Sequence, residues 1–139
     1  MTKQIAEQIA DLLNARNQLV NTYTGECILK SRANYVYLVD SGKIIALAES
    51  KKVQWYQWEI SHVVVAEEYE GKGYGNEILA LAEAKAQDGG AKVLQCTIRT
   101  SNDSSIRLFS RKGYSQVNRF FYPKSGNWVY VYQKVISVK

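Results

Sequence analysis

"EEYEGKGYGNEILALAEAKAQ" spans residues 67–87 of this 139-residue chain, and its reading decides the rest. Three glycines, Gly71, Gly73 and Gly75, alternate with Lys72 and Tyr74, and a helical pattern starts directly behind them. Glycine costs about 1 kcal/mol relative to alanine inside a helix, so three of them here mark backbone that must bend or stay bare. Ahead of them lies "VQWYQWEISHVVVA", residues 53–66, which alternates like a long strand. A strand entering a glycine turn and then a helix N-terminus points backbone N–H groups and a positive dipole end outward, which suits a diphosphate. A plain tight turn would use the same glycines, so their spacing alone does not choose. The GxxxxGK[ST] loop is absent and GxGxxG is incomplete.

Working outward, Ile5, Ile9, Leu12 and Leu13 fall on one face of a helix over 3–15. Strands near 35–39 and 43–50 flank Ser41-Gly42 as a hairpin. The helix behind the glycine turn runs to about Asp88 and is closed by Gly89-Gly90. "KVLQCTI" is a short buried strand. "SNDSSIRLFSRKG" is a helix capped by Asn102 or Asp103 and stopped by Gly113, and "YSQVNRFFY" and "NWVYVYQKVI" are two last strands. The order predicts a single α/β domain over 1–139 with a mixed sheet.

Composition narrows the function. Lysines and arginines exceed acids by 18 − 13 = 5, a mild basic excess that fits a phosphate-bearing partner or simply a basic protein. Two cysteines, Cys27 and Cys96, with the single histidine His62 and no CxxC pair, argue against a metal site. No apolar stretch is long enough to span a membrane, and the acid-bearing start is unlike a signal peptide, so a cytoplasmic protein is expected.

"VAEEYEGKGYGNEIL" is similar to the acetyl-CoA-binding motif of the GNAT N-acetyltransferase superfamily: Val, four residues, Gln or Arg, two residues, Gly, one residue, Gly or Ala. Val65, Glu70, Gly73 and Gly75 occupy those places. "NDSSIRLFSRKGY" resembles the family's second motif through Asn102, Ser105, Leu108, Phe109, Gly113 and Tyr114. The resemblance covers about two thirds of the chain. It implies a mostly antiparallel sheet flanked by helices, with a splayed strand pair that holds CoA, and an acetyl-CoA-dependent transfer to a primary amine of a peptide, protein or small molecule. Cosubstrate contacts are expected from Val63, Val64, Val65, Glu70, Gly71, Lys72, Gly73, Tyr74, Gly75, Asn76, Asn102, Ser105, Phe109 and Lys112, with Arg107 and Arg111 as further candidates for the nucleotide phosphate. The sequence departs from the pattern at Glu70, where an acid adds nothing to diphosphate binding and Lys72 is the expected offset. It departs again at Phe109, which cannot exchange a proton. The family opens with a strand, and "GECILK" is the candidate for it here. Homodimerisation is left open.

Amine acetylation needs a base for the ammonium and a donor for the thioester oxygen. Strand alternation places Trp55, Gln57, Glu59, Ser61, Val63 and Val65 on one face and His62 on the other. Glu59, a carboxylate among aromatic and apolar neighbours, is the expected base, and its place eleven residues before Glu70 is that of the catalytic glutamate in the histone-acetyltransferase-like branch. A solvated, edge-facing glutamate is the plainer alternative, and Glu49 is the reserve. In the branch that acetylates protein N-termini the base lies where this chain has Thr97, yet the last hairpin is similar to that branch's and puts Tyr122 forward as an acid, ahead of Tyr114. Trp55, Tyr56 and Trp58 either pack or wall the amine pocket. Two rivals remain: a non-catalytic CoA-binding module, and a nucleic-acid-binding domain, which the absence of a basic run disfavours.

Overall fold

The structure, a computed structural model, describes residues 1–16 and 22–136. The elements run α1 (Lys3–Arg16), α2 (Gly25–Lys30), β1 (Tyr35–Asp40), β2 (Lys43–Lys52), β3 (Gln57–Val65), α3 (Tyr74–Asp88), β4 (Val93–Arg99), α4 (Asp103–Arg111), β5 (Ser115–Tyr122) and β6 (Asn127–Val135). One six-stranded sheet has the order β1-β2-β3-β4-β6-β5, antiparallel except for the β3–β4 pair. That single parallel pair follows from the α3 crossover between its strands.

Helices cover both faces. On one side α3 and α4 pack Ile78, Leu79, Ala82, Ala86 and Phe109 onto Ala46, Ala48, Ile60, Leu94, Cys96 and Ile98. The alternating apolar positions of β4 supply the last three, as the period of two requires. On the other side α1 and α2 bury Ala6, Ile9, Leu13 and Ile28 against Ile44, Leu47 and Val64.

Three expectations change. "GECILK" is helix, not strand: Thr24 caps it by accepting a hydrogen bond from the Cys27 amide at 3.1 Å, and Glu26 sits in its first turn. The strand expected over 53–66 starts only at Gln57. Residues 53–56 form the turn from β2, with the Val53 and Gln54 amides donating to the Gln57 carbonyl at 3.1 Å. Strand alternation also breaks at His62, whose φ is +55°. Glu49 opposes Ser61 and Leu47 opposes Val64, so three steps on β3 face two on β2, a β-bulge. Beyond it the parity reverses: Val63 and Val65 join Ile60 on the α3 side, while Val64 turns toward α1.

Candidate active site

β3 and β4 pair only at Gln57–Val93, Trp58–Leu94 and Glu59–Gln95; beyond Glu59 no β4 residue pairs with β3 among the described residues. The strands part there, and the gap opens toward the glycine turn. The Ala66 amide donates to Ile45 of β2 at 2.8 Å. Successive strand amides point to opposite edges, so the Val65 N–H is directed into the gap.

The turn answers the question its glycines raise. Gly71 and Gly73 have φ of +75° and +88°, and Gly73 is the N-cap of α3 in the left-handed region. A Cβ built on either meets no atom within 4 Å, so the space over them is open. Gly75 serves packing: its Cβ position lies 3.7 Å from Leu108 of α4. A cavity of about 340 Å³ sits over the turn, and its walls include Val63, Val64, Val65, Glu70, Gly71, Gly73, Tyr74, Gly75, Asn76, Asn102 and Ser105. Asn102 caps α4, its side chain accepting from the Ser105 amide at 3.3 Å.

Arg16, Tyr69, Ser104, Leu108 and Arg111 also line this cavity. Of these, Arg16 had no signal in the sequence, since it approaches from 54 residues before Glu70. Three other expected contacts lie elsewhere. Phe109 is buried beneath α4, edge-on to Tyr114 at 4.9 Å. Lys72 does not offset Glu70: its ammonium lies 5.7 Å over the Tyr69 ring. Lys112 forms the C-cap of α4, outside the cavity walls.

At the point where the strands part, Glu59 sits with one side-chain hydrogen bond, accepted from Gln95 Nε2 at 3.3 Å. Gln95 Oε1 in turn accepts from Gln133 of β6 at 2.7 Å. The three form a polar row across β3, β4 and β6, in step with the strand register. Burial pushes the Glu59 pKa up to about 7; the Gln95 hydrogen bond opposes this and the nearby Glu49 charge adds to it.

A second polar knot lies on the same sheet face. Ser61 donates to Glu49 at 3.0 Å, His62 Nε2 lies 3.8 Å from Glu49, and the Tyr23 hydroxyl and His62 Nε2 share a hydrogen bond of 2.9 Å. The bulge thus brings His62 onto the face of Glu49, not away from it. Burial lowers the His62 pKa and Glu49 raises it; the net direction is down, so the ring is neutral near pH 7.

The tyrosines do not join Glu59. Tyr122 pairs with Asn127, six residues along β6 from Gln133 in the Glu59 row, which is about 20 Å at the usual strand rise. Tyr114 is buried and donates to Glu83 at 2.8 Å, and burial with that hydrogen bond drives its pKa far upward. Trp55 is in the β2–β3 turn and 69% exposed, whereas Trp58 packs into the α3 core.

Comparison with known proteins agrees with this fold. A curated relative, an uncharacterized N-acetyltransferase named YobR from Bacillus subtilis (strain 168), is 26% identical over 85 residues; the match covers 61% of this chain and about a third, 34%, of that protein. The fold superposes on Ard1 from Thermoplasma volcanium with a TM-score of 0.84 at 17% identity, covering 99% of this chain and 95% of that one. It superposes on yncA from Salmonella typhimurium, solved with its cofactor acetyl-CoA, with a TM-score of 0.81 at 18% identity, covering 100% and 92%. Residues 6–114 match the family model described as Acetyltransferase (GNAT) family. The chain therefore belongs to the GNAT family of N-acetyltransferases, whose cosubstrate is acetyl-CoA.

Proposed function

We propose that this protein transfers the acetyl group of acetyl-CoA directly to a primary amine, with Glu59 as general base. One observation carries the reading: a half-buried, weakly satisfied carboxylate stands where β3 and β4 part, on the same strand that runs into the open glycine turn. In this reading the amides of Gly71–Asn76 and the α3 N-terminus hold the diphosphate, and Asn102 and Ser105 border the pantetheine arm. Glu59, directly or through a water, takes the proton from the bound ammonium. The freed amine attacks the thioester carbon, forming the C–N bond, and the Val65 N–H donates to the oxygen as it gains charge. The C–S bond then breaks, CoA leaves as thiolate, and the second proton of the attacking nitrogen passes to that thiolate or to water, leaving the neutral amide. A thiol with pKa near 8.5 needs little help to leave, so no acid is required from Tyr122, and Phe109 can supply none.

The acceptor is either a peptide or protein amine or a small-molecule amine. The free thiols Cys27 and Cys96 fit a reducing, cytoplasmic setting. A panel of peptide and small amines with acetyl-CoA, followed by thiol release, tests the activity. On an acceptor found this way, Glu59→Gln should lower kcat by about 10²–10⁴-fold, the usual share of general-base catalysis, and leave CoA affinity intact. Near-native kcat in that variant would remove Glu59 from the mechanism and leave Glu49 as the candidate. CoA binding without turnover on any amine would favour the non-catalytic reading.

A further inference from the structure

We propose that Arg16, the last residue of α1, is a direct ligand of the cosubstrate's diphosphate, held over the glycine turn by Glu70; this rests on the reading of the cavity as the acetyl-CoA site. The turn is a poor place for an anion by sequence alone, because Glu67, Glu68 and Glu70 precede its glycines. The structure neutralises each of them. Glu68 is paired with Lys43 at 2.8 Å. Glu67 and Glu70 share one guanidinium: Arg16 Nη1 is 3.2 Å from Glu67, and Nη2 is in close contact with Glu70.

Neutralising two acids would not by itself require an arginine inside the cavity. Arg16 nevertheless lines it, beside Gly71, Gly73 and Asn76, with its side chain only 29% exposed, while Glu67 is 82% exposed. Arg111 lines the same cavity from the last turn of α4. A guanidinium carries five N–H donors in a planar fork. One is used on each carboxylate, which leaves three for phosphate oxygens without breaking either ion pair. Glu70 thus acts as the anchor that brings a cation from a distant helix to the turn. An acid in a phosphate loop, paradoxical by charge, becomes useful once its partner is counted. Lysine, a point charge without the fork, would not bridge carboxylate and phosphate in this way.

The test measures binding of CoA, of 3′-dephospho-CoA (diphosphate kept) and of pantetheine (no phosphate) to the full chain and to Arg16→Ala, Glu70→Gln and the double variant. Arg16→Ala should weaken CoA and 3′-dephospho-CoA equally, by about 10-fold or more, the scale of a lost charge-assisted contact. It should leave pantetheine within about twofold. Part of that loss should persist in the Glu70→Gln background, where Glu67 still holds the guanidinium, and the salt dependence of CoA binding should become shallower. Three results would overturn the proposal: equal losses for pantetheine, which would make Arg16 structural; no loss once Glu70 is neutral, which would make it a mere counter-ion; or a loss for CoA alone, which would move it to the 3′-phosphate. Gly73→Val separates this failure from that of the site itself. If wild type binds CoA and Gly73→Val does not, while Arg16→Ala binds normally, only the Arg16 assignment falls. If Gly73→Val binds as wild type does, the cavity is not the cosubstrate site and both readings fall.

Discussion

The two ends of β3 are built to opposite ends. From Gln57 to Glu59 the strand is hydrogen-bonded into the middle of the sheet, with β4 in parallel register and the Gln95–Gln133 amides locking the row. From Val63 to Val65 it keeps β2 as a partner but, among the described residues, has none in β4, and it runs into a turn of left-handed glycines under open space. The first end fixes a side chain; the second leaves backbone available. Closed pairing gives the carboxylate a defined place, and its partial burial weakens the stabilisation of its charge by water. Open backbone offers donors that a ligand can satisfy as a missing strand would. The bulge at His62 is where one rule gives way to the other.

The comparison can be broken first at the closed end. Leu94, fully buried where β3 and β4 still pair, should cost about 2–5 kcal/mol as Leu94→Ala, because the removed methyl groups leave a cavity between sheet and α3. Thermal or urea unfolding measures it, and a cost below 1 kcal/mol would mean that the closed end is not held by packing. At the open end Gly73→Val should leave the fold nearly intact yet weaken CoA by about 100-fold or more. A branched side chain at φ +88° is strained and fills the empty space over the turn; calorimetric titration with unchanged affinity would refute this.

A smaller effect sharpens the contrast through pH. With its folded pKa raised to about 7 from an ordinary 4.5, Glu59 binds a proton more tightly in the folded state. Its contribution to stability is therefore present below pH 4.5 and is lost as pH rises through 7. Because the carboxyl is partly exposed, about 1–2 kcal/mol is expected. Unfolding followed from pH 4.5 to 8 should show that decline in wild type and a flatter profile in Glu59→Gln. On a verified acceptor, kcat/KM should rise with pH through about 7 and then level in wild type. Least of all should happen at Trp55, exposed in the turn with its ring near Lys92. Trp55→Ser should move stability by no more than about 0.5 kcal/mol, and a marked rise in acceptor KM would instead place that turn at the amine.

Much of this was legible in the order of residues. The apolar spacing of Ile9 and Leu13, the alternation of Leu94, Cys96 and Ile98, the Asn102 cap and the glycine turn are local signals, and local physics fixes them. "GECILK" misled because six residues with Ile and Leu fit either periodicity; the deciding feature was the Thr24 cap just outside the stretch. Unbroken alternation puts residues 63 and 65 on the wrong face, because nothing in "SHVVV" announces a bulge. The site was harder still. Arg16 reaches Glu70 only through the packing of α1 across the sheet, and sequence separation hides such a pair. Tyr122 shows the converse: a residue type suited to proton transfer carried by the register to the far end of β6.

The His62 bulge has a consequence for how this strand can change. One supernumerary residue works as a reading-frame shift in space: substitutions before it alter what faces Gln95, while those after it alter, with inverted parity, what faces the splayed edge. The two halves can accept replacements independently so long as the extra residue is kept. Straightening the stretch at its present length would restore unbroken alternation and, since a one-step slip exchanges the faces of a strand, would send Val64 toward α3 and Val63 and Val65 toward α1, whereas deleting the extra residue would leave those faces as they are. No single side chain need be altered for both ends to fail together. The left-handed backbone at His62, which holds the two halves out of phase, is the feature that keeps both ends facing as they do.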